Sequence, residues 1–262
     1  MTAERLTHAV RRQIGLGRLL PLGEAADGAW VTEEAALAVL GRSVRAVPGA
    51  RLSAVRVELT SPRAAAEPAV PPPPSALPPG PLTLTAELAV PAGRPVPAAA
   101  DDVRRSLLTA AEEELGLPLE TVDLRVTELL ETEAVEADPG PGGGPGPGSA
   151  PEAGVSGSAG VAHSRAAERV SRAVLAVQGV VRLAPVAGPA LSHVAAGPAA
   201  AAVQIEGDPA TDRRCHVLLQ LGLAPTRRAL DTARAAADAA RSALGASGKV
   251  TVAVVVAAIE RV

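Results

Sequence analysis

A chain of 262 residues has room for one or two domains. It has no Phe or Tyr and only one Trp, Trp30, so any core must be built from Ala, Val, Leu and a few Ile, which bury less area per side chain than aromatics do. A net charge of −3 excludes an overall basic nucleic-acid binder, and the lone Cys215 excludes an intrachain disulfide and suits a reducing compartment.

The charge is unevenly spread. Residues 1–132 carry a net −4, residues 133–160 another −4, and residues 161–262 a net +5. Lys249 is the only lysine; together with the abundant Ala, Gly and Pro, this Arg bias reads as codon usage of a GC-rich genome rather than phosphate recognition.

At the N-terminus, Arg11-Arg12 resembles the start of a twin-arginine signal, but Arg18, Glu24 and Asp27 prevent an apolar segment from forming. Residues 1–27 read as a helical extension. Thr32 then caps a helix whose first turn holds Glu33 and Glu34, with Leu37, Leu40, Val44 and Val47 on one face and Pro48-Gly49 as the stop. Leu52, Val55 and Val57 mark a strand. The Pro-rich stretch 64–81 follows; it reads as a stiff polyproline II insertion, or as a docking segment for an aromatic-lined groove. Leu82 to Val90 alternate as a one-sided strand, Asp101-Asp102 open a second helix ending at Leu115-Gly116, and Val122, Leu124 and Val126 form a last strand.

Residues 133–160, rich in Gly and Pro, read as a disordered linker. Beyond them, a helix is expected over 164–177 with Val170, Val174 and Val177 on one face, then strands at Val180–Leu183, Ala202–Ile205 and Cys215–Leu223. A helix over 226–244 and a strand over 249–259 complete the order. The longest apolar run, Val250 to Ile259, is about half of a membrane span. Both halves therefore read helix, strand, strand, helix, strand. The fold class is α+β: two similar two-layer domains, 28–132 and 161–262, with helices on one face of a small, mostly antiparallel sheet.

Trp30-Val31-Thr32 before a helix ending in Val47-Pro48-Gly49-Ala50, LGLPLETVDLRVTEL (Leu115 to Leu129), AVLAVQGVVRL (Ala173 to Leu183) and LGASGKVTVAVVVAAIE (Leu244 to Glu260) resemble the alkaline-shock-protein family of envelope stress response proteins, in an actinobacterial two-domain form. The resemblance covers residues 28–131 well and 161–262 more loosely. It implies a non-catalytic scaffold, cytoplasmic or peripheral to the inner membrane. Such a protein would associate with itself or with related alkaline-shock-like proteins, and work with a small membrane-anchored partner.

The residues assemble no recognisable catalytic, cofactor-binding or metal set. His8, His163, His193 and His216 are dispersed, and Cys215 and His216 point to opposite faces of a strand. Ser156 lacks the second glycine of a nucleophile elbow, and Gly245 to Lys249 follows a helix where a phosphate loop would precede one. Glu112, Glu113 and Glu114 read as a solvated face. Along the 226–244 helix, Arg227, Asp231, Arg234, Asp238 and Arg241 alternate in sign, which argues for internal ion pairing. One stripe remains: Arg165, Arg169 and Arg172, opposite the Val170/Val174/Val177 face, which reads as a solvated stripe or as a contact surface for an anionic lipid or nucleic acid. The opposite charges of the two halves also allow them to dock on one another.

Overall fold

The computed structural model describes residues 17–130, 158–184, 203–207, 215–245 and 250–260. It is a mixed α/β structure with four helices and two sheets. In chain order the elements are β1 (Leu19–Leu22), β2 (Ala29–Thr32), α1 (Glu33–Arg45), β3 (Arg51–Leu59), β4 (Leu82–Pro91), α2 (Val96–Thr109), β5 (Leu119–Leu130), α3 (Ser158–Leu175), β6 (Val180–Leu183), β7 (Val203–Glu206), β8 (Cys215–Leu223), α4 (Ala229–Leu244) and β9 (Val250–Ile259).

β3, β4 and β5 form a three-stranded sheet in that order, with β3 antiparallel and β5 parallel to β4. The larger sheet has the order β1-β2-β9-β8-β6, with β7 also on β8. β2, β9 and β8 are mutually parallel, while β1, β6 and β7 are antiparallel to their neighbours. Both sheets are therefore mixed rather than mostly antiparallel. The reason lies in the connections: β4 to β5 and β8 to β9 each cross over through a helix, which returns the chain in the same direction.

Three other expectations change. Leu19–Leu22, read as part of a helical extension, is a fully buried strand; the rest of that extension before Gly17 lies outside the described residues. The second helix begins at Val96, where Pro95 and Pro97 suit the first turn, and not at Asp101. The third begins at Ser158, inside the stretch read as linker, whose residues 133–157 lie outside the described ones.

The joint between the chain's two halves is made by backbone. Ala29, Trp30 and Val31 of β2 pair in register with Val254, Val255 and Val256 of β9. Where β2 ends, Thr32 Oγ1 donates to the Ala257 carbonyl at 3.1 Å and accepts from Ala35 N–H at 3.3 Å, so one hydroxyl both caps α1 and ties it to β9. The apolar run Val250 to Ile259 is thus the central strand of the larger sheet. It lies between two parallel neighbours, which is why it is not patterned by alternation.

One aliphatic core runs through both sheets and α1, α2, α3 and α4. It includes Leu40, Leu84, Leu107, Val170, Leu219, Ala233 and Val254. A smaller cluster, Leu19, Trp30, Val70, Leu218, Ala253 and Val255, lies on the opposite face of the larger sheet. There the Pro-rich stretch lies as a strap. Leu19 N–H donates to the Ser75 carbonyl, Leu77 N–H to the Leu19 carbonyl and Ala69 N–H to the Ala25 carbonyl. The Leu77 carbonyl accepts from Trp30 Nε1 at 3.1 Å. Prolines suit such a strap because they fix an extended backbone and leave no N–H to bury unpaired.

Gly28 marks how closely the strap fits. Its φ is +58°, and a Cβ there would lie 2.6 Å from Val70 Cγ2 and 3.1 Å from the Val252 carbonyl oxygen. Gly28→Ala is expected to cost about 2 kcal/mol in denaturant titrations. In a Val70→Ala background its cost should be smaller, because the nearest clash is gone.

Candidate functional site

Two concavities and one charged surface are among the places where the described residues could meet another molecule. The larger concavity, about 940 Å³, lies where the two sheets meet at the N-terminus of α1 and is lined by Arg18, Thr32, Glu33, Leu37, Arg56 and Ala257 among others. Its shape comes from β3, whose pairing with β4 slips between Ser53 and Arg56 while Ala54 takes a φ of +49°. Part of its polar lining is engaged: the Thr32 hydroxyl holds Ala35 and Ala257, and Arg18 pairs with Glu33 at 3.5 Å. The smaller concavity, about 450 Å³, lies between α1 and α2 over Ser43, Asp102, Arg105 and Glu114. Asp102 there is held by Arg94 and Arg105, and these hydrogen bonds keep its carboxyl below the usual carboxylate range.

Among the described residues no three His, Cys, Asp or Glu side chains come together as a metal site. Cys215 is buried, and His216 is half-buried with Nδ1 2.9 Å from Thr251 Oγ1. Burial pushes the His216 imidazole below its ordinary value, against the pull of Glu206. His8, His193, Ser156 and Lys249 lie outside the described residues, as does the His163 side chain. Glu112, Glu113 and Glu114 are exposed, on a π-helical turn (Ala110–Leu115) that continues α2.

Arg165, Arg169 and Arg172 are exposed on α3, while Val170 and Val174 on the same helix are fully buried and Val177, just beyond it, is partly buried. None of the three arginines has an ion pair among the described residues. The charged face of α4 is spent differently. Arg241 pairs with Asp238 at 2.7 Å and Arg234 with Asp231 at 3.7 Å, as the alternating signs predict.

Arg234 makes its shorter contacts elsewhere, with Asp27 in the turn between β1 and β2: Nε to Oδ1 at 2.7 Å and Nη2 to Oδ2 at 3.0 Å. The same carboxylate accepts from Glu24 N–H at 2.7 Å. Among the described residues this is the one ion pair between the two halves, so their joint rests on strand pairing and aliphatic packing more than on net charge. Next to it, Gly116 closes the π-helical turn at a φ of +79° and abuts Leu230 of α4. Sequence reading missed this clamp because its partners are 207 positions apart.

Gln220 of β8 is fully buried, and neither its side-chain oxygen nor its nitrogen has a hydrogen-bond partner. A desolvated amide without partners costs roughly 1–3 kcal/mol. A buried residue of similar size without polar atoms avoids that cost. Gln220→Leu is therefore expected to raise stability by about 1 kcal/mol or more in thermal or urea unfolding.

No helix among the described residues is long and apolar enough to cross a membrane. Compared with models of protein families, with curated proteins and with solved structures, the chain matches none.

The Asp27 clamp makes stability depend on pH. Burial raises the carboxyl's pKa, but the hydrogen bond from Arg234, the Glu24 N–H and the charges of Arg234 and Arg228 outweigh it, so the group titrates below its ordinary 3.8. A depressed folded pKa means that its contribution is full above the ordinary value and is lost as pH falls through the folded one. Asp27→Asn should cost about 1 kcal/mol at pH 7, the modest size reflecting a half-exposed Arg234. The gap between variant and parent in urea titrations should close as pH falls below 3.8 and through the lowered folded value.

Proposed function

We propose that the chain is a non-catalytic interaction protein built from two copies of one α-β-β-α-β unit, of the alkaline-shock-protein kind. It acts as a scaffold through self-association and partner binding at the inner face of the membrane. The observation that carries this reading is a repeated local geometry. In the first unit β3 is antiparallel and β5 parallel to β4; in the second, β6 and β7 are antiparallel and β9 parallel to β8.

The turns support it. After α1, Val47 N–H donates to the Val44 carbonyl and Ala50 N–H to the Val47 carbonyl; after α3, Val177 donates to Val174 and Val180 to Val177. Gly49 and Gly179 occupy corresponding left-handed positions, with φ of +73° and +98°. Gly116 and Gly245 do so again before the last strand of each unit, at +79° and +65°. On this reading β6 and β7 are one strand interrupted by an insertion, residues 184–202, and the strap 64–81 is the insertion of the first unit.

A scaffold needs surfaces and not a reactive centre, and Arg18, Thr32, Glu33, Asp102 and Arg105 around the two concavities are engaged in holding the fold. Pull-down and sedimentation at physiological salt are expected to show oligomers or a membrane-anchored partner. A chain that stays monomeric and partnerless in both would count against the reading.

A second reading, an anion-binding module, is favoured by Arg165, Arg169 and Arg172, exposed and without ion pairs among the described residues. It predicts that the chain sediments with vesicles containing anionic lipid, with affinity falling steeply as salt rises. R165A/R169A/R172A should lower that affinity at least tenfold, because each basic residue near such a surface contributes about 1 kcal/mol. Equal binding by parent and triple variant would remove this reading.

A further inference from the structure

β5 is an edge strand. Twelve residues long, it pairs with β4 on one side, and among the described residues no strand pairs with its other side. A long exposed edge offers unpaired backbone donors and acceptors to another chain. What distinguishes this edge is its sequence. From Leu119 to Leu129 it reads Leu-Glu-Thr-Val-Asp-Leu-Arg-Val-Thr-Glu-Leu. Around Leu124 the order is the same in both directions, with one exception: Asp123 on one side is answered by Arg125 on the other.

We propose that β5 pairs antiparallel with the β5 of a second copy of this chain, about a two-fold axis through Leu124. An isologous two-fold contact sets residue i against residue j and j against i. With Leu124 on the axis, Val122 faces Val126 of the second copy, and Asp123 faces Arg125, twice. The single departure from palindromy is thus the change that makes the pairing attractive, since two like charges in those positions would repel.

The strand's own geometry limits the contact to its centre. The register of β4 with β5 slips between Leu119 and Thr121 and again between Val126 and Glu128, so Thr121–Val126 is the uninterrupted stretch. Glu120 and Glu128, which would otherwise oppose one another as like charges, fall outside it. Asp123 and Arg125 are exposed, and neither has an ion pair within the chain among the described residues. One bond has to yield: Arg104 Nε of α2 holds the Val122 carbonyl at 3.2 Å. The product is a continuous six-stranded sheet across the two copies.

The pairing deepens the scaffold reading and rests on it, since it supplies a surface for self-association. The experiment is equilibrium sedimentation of the full chain as parent, D123R, R125D and D123R/R125D, with circular dichroism to confirm folding. The parent is expected to dimerise. Each single reversal should weaken the dimer by about tenfold or more, and the double variant should return to within about threefold of the parent.

Association indifferent to both reversals, or a double variant no better than the singles, would overturn the edge pairing and leave the scaffold reading standing. A parent that is monomeric at every concentration overturns the edge pairing and counts against the scaffold reading as well. Should a single variant unfold, hydrogen exchange on the parent decides: the Leu124 and Val126 amides should gain protection as concentration rises, and unchanged protection rejects the pairing.

Discussion

The parallel pairing of Ala29–Val31 with Val254–Val256 is the contact on which the rest of the architecture depends. It closes a loop of more than two hundred residues, whose entropic cost grows only slowly with length. Once made, it aligns several other features. Thr32 is set beside Ala257, which fixes where α1 begins and ties its first turn to β9. The β1–β2 turn is carried over α4, where Asp27 meets Arg234. The outer face of Trp30 is presented to the strap, which covers it.

A core without Phe or Tyr sets a second constraint. Ala, Val and Leu fill less space each, so helices and sheets must approach closely, and small residues recur at the contacts. α4 buries Ala229, Ala233, Ala236, Ala237 and Ala240. Gly116 meets Leu230 and Gly179 meets Thr232 at distances that leave no room for a Cβ without movement of the neighbour. Such packing gains stability from many weak contacts and not from a few large side chains. The strap belongs to the same economy, since it brings Val70 and Ala76 onto the sheet face that carries the protein's one aromatic residue.

Part of the charge is committed to structure. Asp27, Asp102, Asp238, Glu33 and Glu260 each have an arginine partner. Among the surfaces left open are the arginine stripe on α3 and the polar outer strand β5. Neither is a reactive centre. Both are suited to contact with another molecule, the first through charge and the second through backbone.

The sequence by itself determined the local elements. Thr32 with Glu33 and Glu34 located the start of α1, the alternation from Leu82 to Val90 located β4, and Cys215–Leu223 was read to the residue. These are legible because capping, periodicity and turn chemistry act between residues a few positions apart. β1 and β2 were not legible: each has four residues, all buried, with no alternation to mark a strand. Nor were the Asp27–Arg234 clamp, the strap over Trp30 or the parallel sense of β9. Only the tertiary structure decided those, because each depends on which distant segment lies alongside, and burial on both faces erases the pattern by which a strand announces its partner.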